Sequence, residues 1–462
     1  MPATEVIGIF DIGKTNKKFF LFDDQYRIVF EEARQFEEIK DEDGFPCEDI
    51  LALTNWVQQT MKAVQADKKF LIKAVNFSTY GASFVHLDKE GKPAAPLYNY
   101  LKPYPPALQE QFYKKYGGEV SFSLQTASPA LGNLNSGLQI YRIREEKPEL
   151  YRKIKYCLHL PQFMSYLVTG RTYSDITSIG CHTGLWNFPG NHYHEWVHRE
   201  QVIDKLPNIF PSNQGMPAQV NGNSVICGVG LHDSSAALIP YLAAFPDPFV
   251  LISTGTWCIT LNPFNQSRLT PDELKQDCLS YMEYRGRPVK ASRLFAGYDH
   301  EQQVKGMAAH FKVPQDYYKN VQPDKQLDTE FLSALANLHT QTISMNFAGE
   351  ELKTSYAEHK DYESAYNRFM CNLVIRQVVS TNLVLKNSPV KKIYVDGGFG
   401  SNAVYMHLLA LAYPQMEVFA ASVPQASAIG AALAIHTSWN RHPIPKNIIT
   451  LKRFTATPAA TI

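Results

Sequence analysis

Residues 6–22 read VIGIFDIGKTNKKFFLF, and this stretch decides how the fold is predicted. An apolar run ends near Asp11, a turn of small and polar residues follows, and a second apolar run begins at Phe19. Two β-type runs joined by a short turn containing Gly predict a β-hairpin. The amides and hydroxyl groups of residues 13–16 could hold a phosphate, and Asp11 could orient the water molecules of a metal ion. The stretch therefore predicts a phosphate-binding hairpin.

The same letters also fit the Walker pattern GxxxxGK[ST] between Gly8 and Thr15. A phosphate-binding loop of that type needs an open loop between its glycines and a helix that begins at its Lys. Here the residues between the glycines are strand-like, and the aromatic residues after Thr15 have no helical period. Without a helix N-terminus the anion site of a Walker loop is missing. We therefore favour the hairpin over the Walker loop.

Composition predicts two large domains in a cytoplasmic protein. The chain has 462 residues, which is too long for one ordinary core. Its formal net charge is +1 with dispersed Lys and Arg, so no nucleic-acid partner is expected. Seven cysteines without a CxxC pair are typical of reduced thiols. Because we find neither a signal peptide nor a long apolar run, we expect a cytoplasmic protein without membrane association. We also expect a monomer or homodimer.

The second half of the chain repeats the opening pattern. Residues 249–261 form an apolar run, a Gly/Thr turn and another apolar run. Amphipathic helices are predicted over residues 50–64 and about 362–385. Residues 136–170 are also predicted to be helical, with interruptions at Pro148 and Pro161. Strands that alternate with helices predict mixed sheets flanked by helices. We expect an N-terminal domain at 1–242, a C-terminal domain at 243–440 and a tail at 441–462.

The segment His194-Glu195-Trp196-Val197-His198 matches the zinc-binding pattern HExxH. On a helix its two histidines would share one face, as zinc requires. The flanking residues are polar, however, and no third ligand lies nearby in a recognisable motif. We therefore favour a surface helix with Trp196 packed inward, and we expect no stoichiometric zinc.

Three turns rich in Gly and hydroxyl residues, at 13–16, 254–256 and 397–402, could bind a polyphosphate. Each turn alone is more often a plain structural turn, whereas three in one chain favour nucleotide binding. Asp233 follows a predicted strand and begins a predicted helix. It could be an N-cap carboxylate, or it could be the general base that takes a proton from an attacking hydroxyl group. His232 would then bind the substrate.

Together these segments resemble the FGGY carbohydrate kinases. The resemblance rests on the turn at 11–18, Gly-Leu-His-Asp at 230–233, Ile-Ser-Thr-Gly-Thr-Trp at 252–257, Val-Asp-Gly-Gly at 395–398 and Ala-Ser-Ala-Ile-Gly-Ala-Ala at 426–432. Their order and spacing match over about residues 6–435. Residues 80–88 and 232–233 are similar to the rhamnulokinase-like branch.

The resemblance implies an α/β fold of two ribonuclease-H-like domains, of the actin/hexokinase type, around a central cleft. It implies ATP and Mg²⁺, with Asp233 as the catalytic base and Asp11 and Asp233 near the metal through water. The implied ATP-binding residues are Asp11, Gly13, Lys14, Thr15, Asn16, Lys18, Thr254, Gly255, Thr256, Gly397, Gly398 and Asn402. The implied sugar-binding residues are Gly81, Ala82, His232, Asp233 and Ser234.

Three positions depart from the family pattern. Lys14 stands where relatives usually carry a small residue, Asn99-Tyr100 stands where an Arg-Asp pair is expected, and Gln162 replaces an acidic residue. The expected function is phosphorylation of a ketose, with an L-rhamnulose-like deoxyketose first and L-fuculose, ribulose or xylulose as alternatives. A Walker-type NTPase and a catalytically silent sugar-binding regulator remain as rival interpretations.

Overall fold

The computed structural model describes residues 3–220, 222–338 and 356–455. The strands are β1 (Thr4–Ile12), β2 (Lys17–Phe22), β3 (Ile28–Arg34), β4 (Glu38–Lys40), β5 (Pro46–Glu48), β6 (Phe70–Thr79), β7 (Phe84–Leu87), β8 (Tyr156–His159), β9 (Trp186–Asn187), β10 (His192–Tyr193), β11 (Gly215–Val220), β12 (Asn223–Gly228), β13 (Leu231–His232), β14 (Phe249–Thr254), β15 (Cys258–Asn262), β16 (Cys278–Met282), β17 (Pro288–Leu294), β18 (Lys392–Gly397), β19 (Glu417–Ser422) and β20 (Thr450–Phe454).

The helices are α1 (Ile50–Ala66), α2 (Pro106–Lys115), α3 (Glu119–Thr126), α4 (Ser136–Glu146), α5 (Pro148–Lys153), α6 (Leu160–Thr169), α7 (Ile176–Ile179), α8 (Glu195–Arg199), α9 (Asp233–Ala244), α10 (Pro271–Lys275), α11 (Ala296–Phe311), α12 (Asp328–Leu338), α13 (Tyr362–Leu385), α14 (Ala403–Ala412), α15 (Ala426–Ala434) and α16 (His436–Trp439). Among the residues that the structure describes, none of these helices is long and apolar enough to span a bilayer.

The opening stretch forms the predicted hairpin. Strands β1 and β2 pair antiparallel, and their register places Asp11 opposite Lys18. The N–H of Gly13 donates to the carbonyl of Asn16 at 2.9 Å and closes the turn. Strand β2 begins at Lys17, so no helix starts at Lys14. The hairpin prediction is confirmed, and the Walker alternative fails because its helix N-terminus is absent from this described segment.

The two large sheets have the same arrangement of antiparallel and parallel strands over five strands each. In the first, β3, β2 and β1 are antiparallel neighbours, and β6 and β12 continue the sheet in parallel. In the second, β17, β15 and β14 are antiparallel, and β18 and β19 continue in parallel. The predicted duplication of mixed sheets is therefore confirmed. Because the carboxyl ends of parallel strands meet at one edge, each sheet can present side chains from several strands together.

The helices pack by their apolar faces. Helix α1 begins after Asp49, whose carboxylate accepts the N–H groups of Leu51 and Ala52, and it buries Leu53 and Trp56. Helix α13 matches the predicted bounds. The predicted helical segment at 136–170 is wrong over Tyr156–His159, which form the strand β8 beside β7.

Contacts divide the chain into two compact units. The first unit contains the residues up to Ala244 together with Ser280–Pro288 and Pro424–Ile448. The second unit contains Phe245–Leu279, Val289–Val423 and the residues from Ile449 on. Helix α15 therefore belongs to the first unit, whereas the sequence-based division placed it in the C-terminal domain. That division and the expected cleft stay predictions.

Candidate functional site

Asp11 lies near the end of β1 in the first unit. The hydroxyl of Ser427, at the start of α15, donates to its Oδ2 at 2.8 Å. Burial raises the pKa of the Asp11 carboxyl to about 6; the charge of Asp233 also raises it, while the Ser427 bond and Lys18 lower it. Asp11 and Asp233 are therefore close enough to interact electrostatically.

Asp233 is the first residue of α9 and follows the short strand β13. Its Oδ1 accepts the N–H of Ser234 at 2.6 Å. Burial raises the pKa of the Asp233 carboxyl to about 6, and the hydrogen bonds from Ser234 oppose this shift only in part. A carboxylate with a pKa near 6 is ionised at neutral pH and is a stronger base than an ordinary Asp, which suits proton abstraction.

His232 stands between Asp233 and the loop that follows β6. Its Nε2 lies 3.2 Å from Asp233 Oδ1 and 3.3 Å from Cys181 Sγ. Burial lowers the pKa of His232 to about 4, so the ring is neutral. Within the described residues its buried Nδ1 has no hydrogen-bond partner. A side chain at Gly81 would place a Cβ 2.9 Å from His232 Cδ2. The absence of a side chain at Gly81 therefore allows the His232 ring to pack against the backbone of Gly81.

The remaining predicted sugar-binding residues flank this group. Ala82 follows Gly81 with a left-handed backbone (φ 57°), and its carbonyl accepts Nε2 of Gln139 at 2.8 Å. Ser234 is bonded to Asp233 through both its N–H and its hydroxyl group. The structure thus brings Gly81, His232 and Asp233 together.

A buried amide, Asn76, fixes the loop before Asp233, and sequence reasoning missed it. Its Oδ1 accepts the N–H of Gly230 at 3.1 Å, and its Nδ2 donates to the carbonyl of Ala431 in α15 at 2.8 Å. Nε2 of Gln162 donates to the carbonyl of Gly230 at 2.9 Å. The side-chain amides of Asn76 and Gln162 therefore bind the N–H and the carbonyl of Gly230, respectively. No sequence pattern signals these bonds, because the partners are far apart in the chain.

The hairpin turn carries the predicted phosphate-binding residues. Nζ of Lys14 lies 2.8 Å from a carboxylate oxygen of Glu38 at the protein surface. Lys17 is buried and pairs with Glu48, so it is not available to a ligand. Nζ of Lys18 donates to Oε1 of Gln425 at 3.3 Å. Lys14 and Lys18 are thus the cations of this turn that remain accessible.

The other residues of the turn are close to these cations. Gly13 pairs with Asn16 through the backbone, and Oδ1 of Asn16 accepts Nε2 of Gln35 at 2.8 Å. Thr15 lies between them in the chain and is exposed.

In the second unit, two of the predicted turns meet at Thr254. Its hydroxyl donates to the carbonyl of Asp396 at 2.6 Å and accepts the N–H of Phe399 at 3.1 Å. Gly397 has a left-handed backbone (φ 87°), and a Cβ there would lie 2.0 Å from the carbonyl oxygen of Thr254. Gly397 is therefore required by this close approach. A Cβ at Gly398 would meet no atom within 4 Å, so that side of the turn is open.

A cavity of about 210 Å³ opens beside these turns. It is lined by Thr254, Gly255, Gly297, His300, Tyr318, Gly398, Phe399 and Asn402. Asn402 caps α14 by accepting the N–H of Tyr405 at 2.9 Å. Thr256 lies next to the cavity in the chain but does not line it. Sequence reasoning missed His300 and Tyr318, because only the fold brings them to the predicted glycine turns.

Asp11 and Asp233 fit a magnesium ion held partly by water and substrate. Mg²⁺ is usually bound by one or two carboxylates together with waters and phosphate oxygens, and these two carboxyl groups interact. The HExxH segment has a different geometry: His194 precedes α8 as its buried N-cap, and its Nε2 lies 3.0 Å from Oε1 of Gln125. Over the described ranges, no cluster of three metal-ligating side chains occurs.

The fold and the arrangement of the turns define a two-domain α/β protein of the actin/hexokinase type. Residues 6–238 match the N-terminal domain of the FGGY family of carbohydrate kinases, and residues 246–443 match its C-terminal domain. The chain therefore belongs to the FGGY family of carbohydrate kinases, as the sequence motifs predict.

Curated relatives include rhamnulokinases. The chain is 21% identical over 266 residues to the rhamnulokinase of Halalkalibacterium halodurans, covering 54% of each chain. It is 22% identical over 271 residues to that of Mannheimia succiniciproducens, covering 55% of this chain and 52% of the relative. The chain thus spans about half the length of the curated relatives it matches.

Solved structures share the fold over nearly the whole chain. A carbohydrate kinase from Novosphingobium aromaticivorans is 22% identical with a TM-score of 0.77, covering 98% of this chain and 95% of that one. A ligand-bound xylulose kinase from Lactobacillus acidophilus is 14% identical with a TM-score of 0.78, covering 98% and 94%. At these identities the likeness concerns the fold alone.

Proposed function

We propose that this protein transfers the γ-phosphate of ATP to a hydroxyl group of a ketose, with an L-rhamnulose-like deoxyketose as the first candidate. The observation that carries the proposal is the group formed by Gly81, His232 and Asp233, in which the partly buried Asp233 carboxyl has its pKa raised to about 6. Membership of the FGGY family and the rhamnulokinase relatives support the choice of reaction and sugar.

Asp233 acts as the general base that accepts the proton of the attacking sugar hydroxyl. Its raised pKa keeps it ionised at neutral pH and able to hold that proton. His232 is neutral, and its free Nδ1 offers one hydrogen bond to the sugar. Gly81, Ala82 and Ser234 would border the sugar, and the missing side chain at Gly81 leaves room for the His232 ring.

The phosphates would lie along the turn at 13–16 and at Thr254, Gly255 and Thr256, with Lys14 and Lys18 as the nearest cations. Asp11 and Asp233 would hold Mg²⁺ through water, and the ion would neutralise charge on the phosphate oxygens. The nucleoside would occupy the cavity beside Gly397, Gly398 and Asn402. In-line transfer needs both substrates to meet in one place, and the cleft expected between the domains stays a prediction.

The test is a panel of ketoses with ATP and Mg²⁺, measured as ADP release. We expect one deoxyketose to be turned over best, with L-fuculose, ribulose and xylulose as competitors in the panel. Asp233→Asn should lower kcat by about 10²–10⁴-fold, the usual contribution of general base catalysis. Near wild-type turnover of this variant would show that the assigned base is wrong.

A catalytically silent sugar-binding regulator is the second candidate. Sugar binding measured by calorimetry without any sugar-dependent ADP release would favour it. The cytoplasmic location, the lack of a nucleic-acid partner and the monomer or homodimer state also stay predictions.

A further inference from the structure

His300 forms one wall of the cavity in the second unit and is held there by aromatic rings. It belongs to α11 and is 8% exposed. The rings of Tyr318 and Phe399 stand nearly perpendicular to it, with centroids 4.9 Å and 5.2 Å away. Edge-to-face packing of this kind fixes the plane of the imidazole ring.

A chain of hydrogen bonds leads to His300 from the cap of α14. Oδ1 of Asn402 accepts the N–H of Tyr405, so its Nδ2 faces the other way. That Nδ2 donates to the phenol oxygen of Tyr366 at 2.6 Å. The cap therefore orients the Asn402 amide, and the amide N–H donates a hydrogen bond to the hydroxyl oxygen of Tyr366.

The phenol group of Tyr366 decides which nitrogen of His300 carries the proton. Its oxygen lies 2.9 Å from Nε2 of His300. This oxygen also accepts a hydrogen bond from Asn402. If Nε2 donated to it as well, the O–H of the fully buried Tyr366 would have no acceptor among the described residues, which is costly, so the O–H donates to Nε2. Burial lowers the pKa of His300 to about 4, so the ring is neutral and has a single N–H. The proton must then be on Nδ1.

Nδ1 is thus the N–H donor of His300, a residue that lines the cavity. Within the described ranges it forms no hydrogen bond, and it is not fully enclosed. The volume of about 210 Å³ leaves room for a small planar group such as a nucleobase. Gly255 and Gly398 also line the cavity, and neither has a side chain that would fill it.

We propose that His300 recognises the nucleoside of the phosphate donor by donating from Nδ1 to an acceptor atom of the base or the ribose. This inference rests on the proposed kinase function and adds a specificity-determining residue to it. Asn402 and Tyr366 act as positioning residues that keep the proton on Nδ1.

The test is calorimetric binding of ADP without sugar, so that no turnover is needed. In His300→Gln the amide reaches toward Tyr366 but leaves the cavity position empty, and ADP should bind about 3–10-fold more weakly, as expected for one lost hydrogen bond. In His300→Asn the amide nitrogen can occupy the place of Nδ1, and binding should stay within about twofold.

Tyr366→Phe removes the phenol group that fixes the proton and should weaken ADP binding about 2–5-fold. Tyr362→Phe is the matched control. Its ring stacks on that of Tyr366 with centroids 6.0 Å apart, and its buried hydroxyl has no partner in the described residues. This control should bind ADP as the wild type does.

Analogues identify the acceptor atom. ADP analogues that lack one purine ring nitrogen, or the 2′- or 3′-hydroxyl group, are compared in the wild type and in His300→Gln. The analogue whose loss of affinity disappears in the variant carries the acceptor, on the base or on the ribose.

Three results would overturn the inference while leaving the kinase proposal intact: wild-type affinity of His300→Gln for ADP, a Tyr366→Phe variant no weaker than Tyr362→Phe, or no analogue coupled to His300. A wild-type protein that does not bind ADP at all would instead contradict the proposed function.

Discussion

The two hairpins that open the two units share a strand plan but differ in charge. The hairpin of β1 and β2 carries Asp11 near its turn, with Lys14 and Lys18 beside it. The hairpin of β14 and β15 has Ser253 at the position equivalent to Asp11 and no ionisable residue in its turn at 254–257. The two hairpins therefore place their turns in the same way. Their side chains determine whether a turn can bind a metal ion or can only form hydrogen bonds to a ligand.

The largest expected effect comes from removing the charge that distinguishes the hairpins. Asp11→Asn should lower kcat by about 100-fold or more, because a metal-binding carboxylate contributes several kcal/mol and each 1.4 kcal/mol is tenfold in rate. Ser253→Ala, at the equivalent position, should leave kcat within about threefold. Steady-state ADP release measures both. Equal losses in the two variants would mean that the hairpins do not differ in function.

A second prediction concerns the pH dependence of kcat and of ADP binding. Both Asp11 and Asp233 have a pKa of about 6, so about one tenth of each carboxyl group is ionised at pH 5, and kcat should fall at least about tenfold between pH 8 and pH 5. ADP binding in the second unit should change little over this range, since the pKa of His300 near 4 lies below it. Pairing a pH profile of kcat with calorimetry at the same pH values tests the contrast. A flat kcat profile would contradict the role of Asp233.

A third prediction concerns how much the two glycines of the turn in the second unit contribute to the free energy of unfolding. Gly397→Ala should lower the free energy of unfolding by about 2 kcal/mol, because of its left-handed backbone and the contact with the Thr254 carbonyl. Gly398→Ala should change it by less than about 0.5 kcal/mol, since its Cβ would meet no atom within 4 Å. Denaturant unfolding compares the two variants. An identical loss would show that the Thr254 contact does not constrain the turn.

The smallest expected effect is at Lys14. Its ion pair with Glu38 is exposed, and such pairs contribute about 0–1 kcal/mol. Lys14→Ala should therefore change kcat by less than about threefold and should barely shift the thermal midpoint. The lysine of a Walker loop would be nearly indispensable, so a loss of activity above about 100-fold would revive that interpretation.

Local patterns predicted several elements well. The apolar runs around residues 13–16 predicted the hairpin. The helix α13 was predicted because its helical periodicity extends over 24 residues. The strand β8 was missed because a run of only four residues between two helices has no distinguishable period. Short runs of this kind acquire a conformation only from a partner strand, here β7.

The sequence by itself determined the duplicated hairpins, the FGGY family and the residues of the glycine turns, because these depend on local spacing. Only the tertiary structure decided that Ser427, 416 positions away in the chain, bonds Asp11. It also decided that Lys17 is buried, that Asn76 holds the loop before Asp233, and that Tyr366 sets the proton of His300. Burial and long-range hydrogen bonds set the charge and proton state of a group, and neither is encoded in the neighbouring residues.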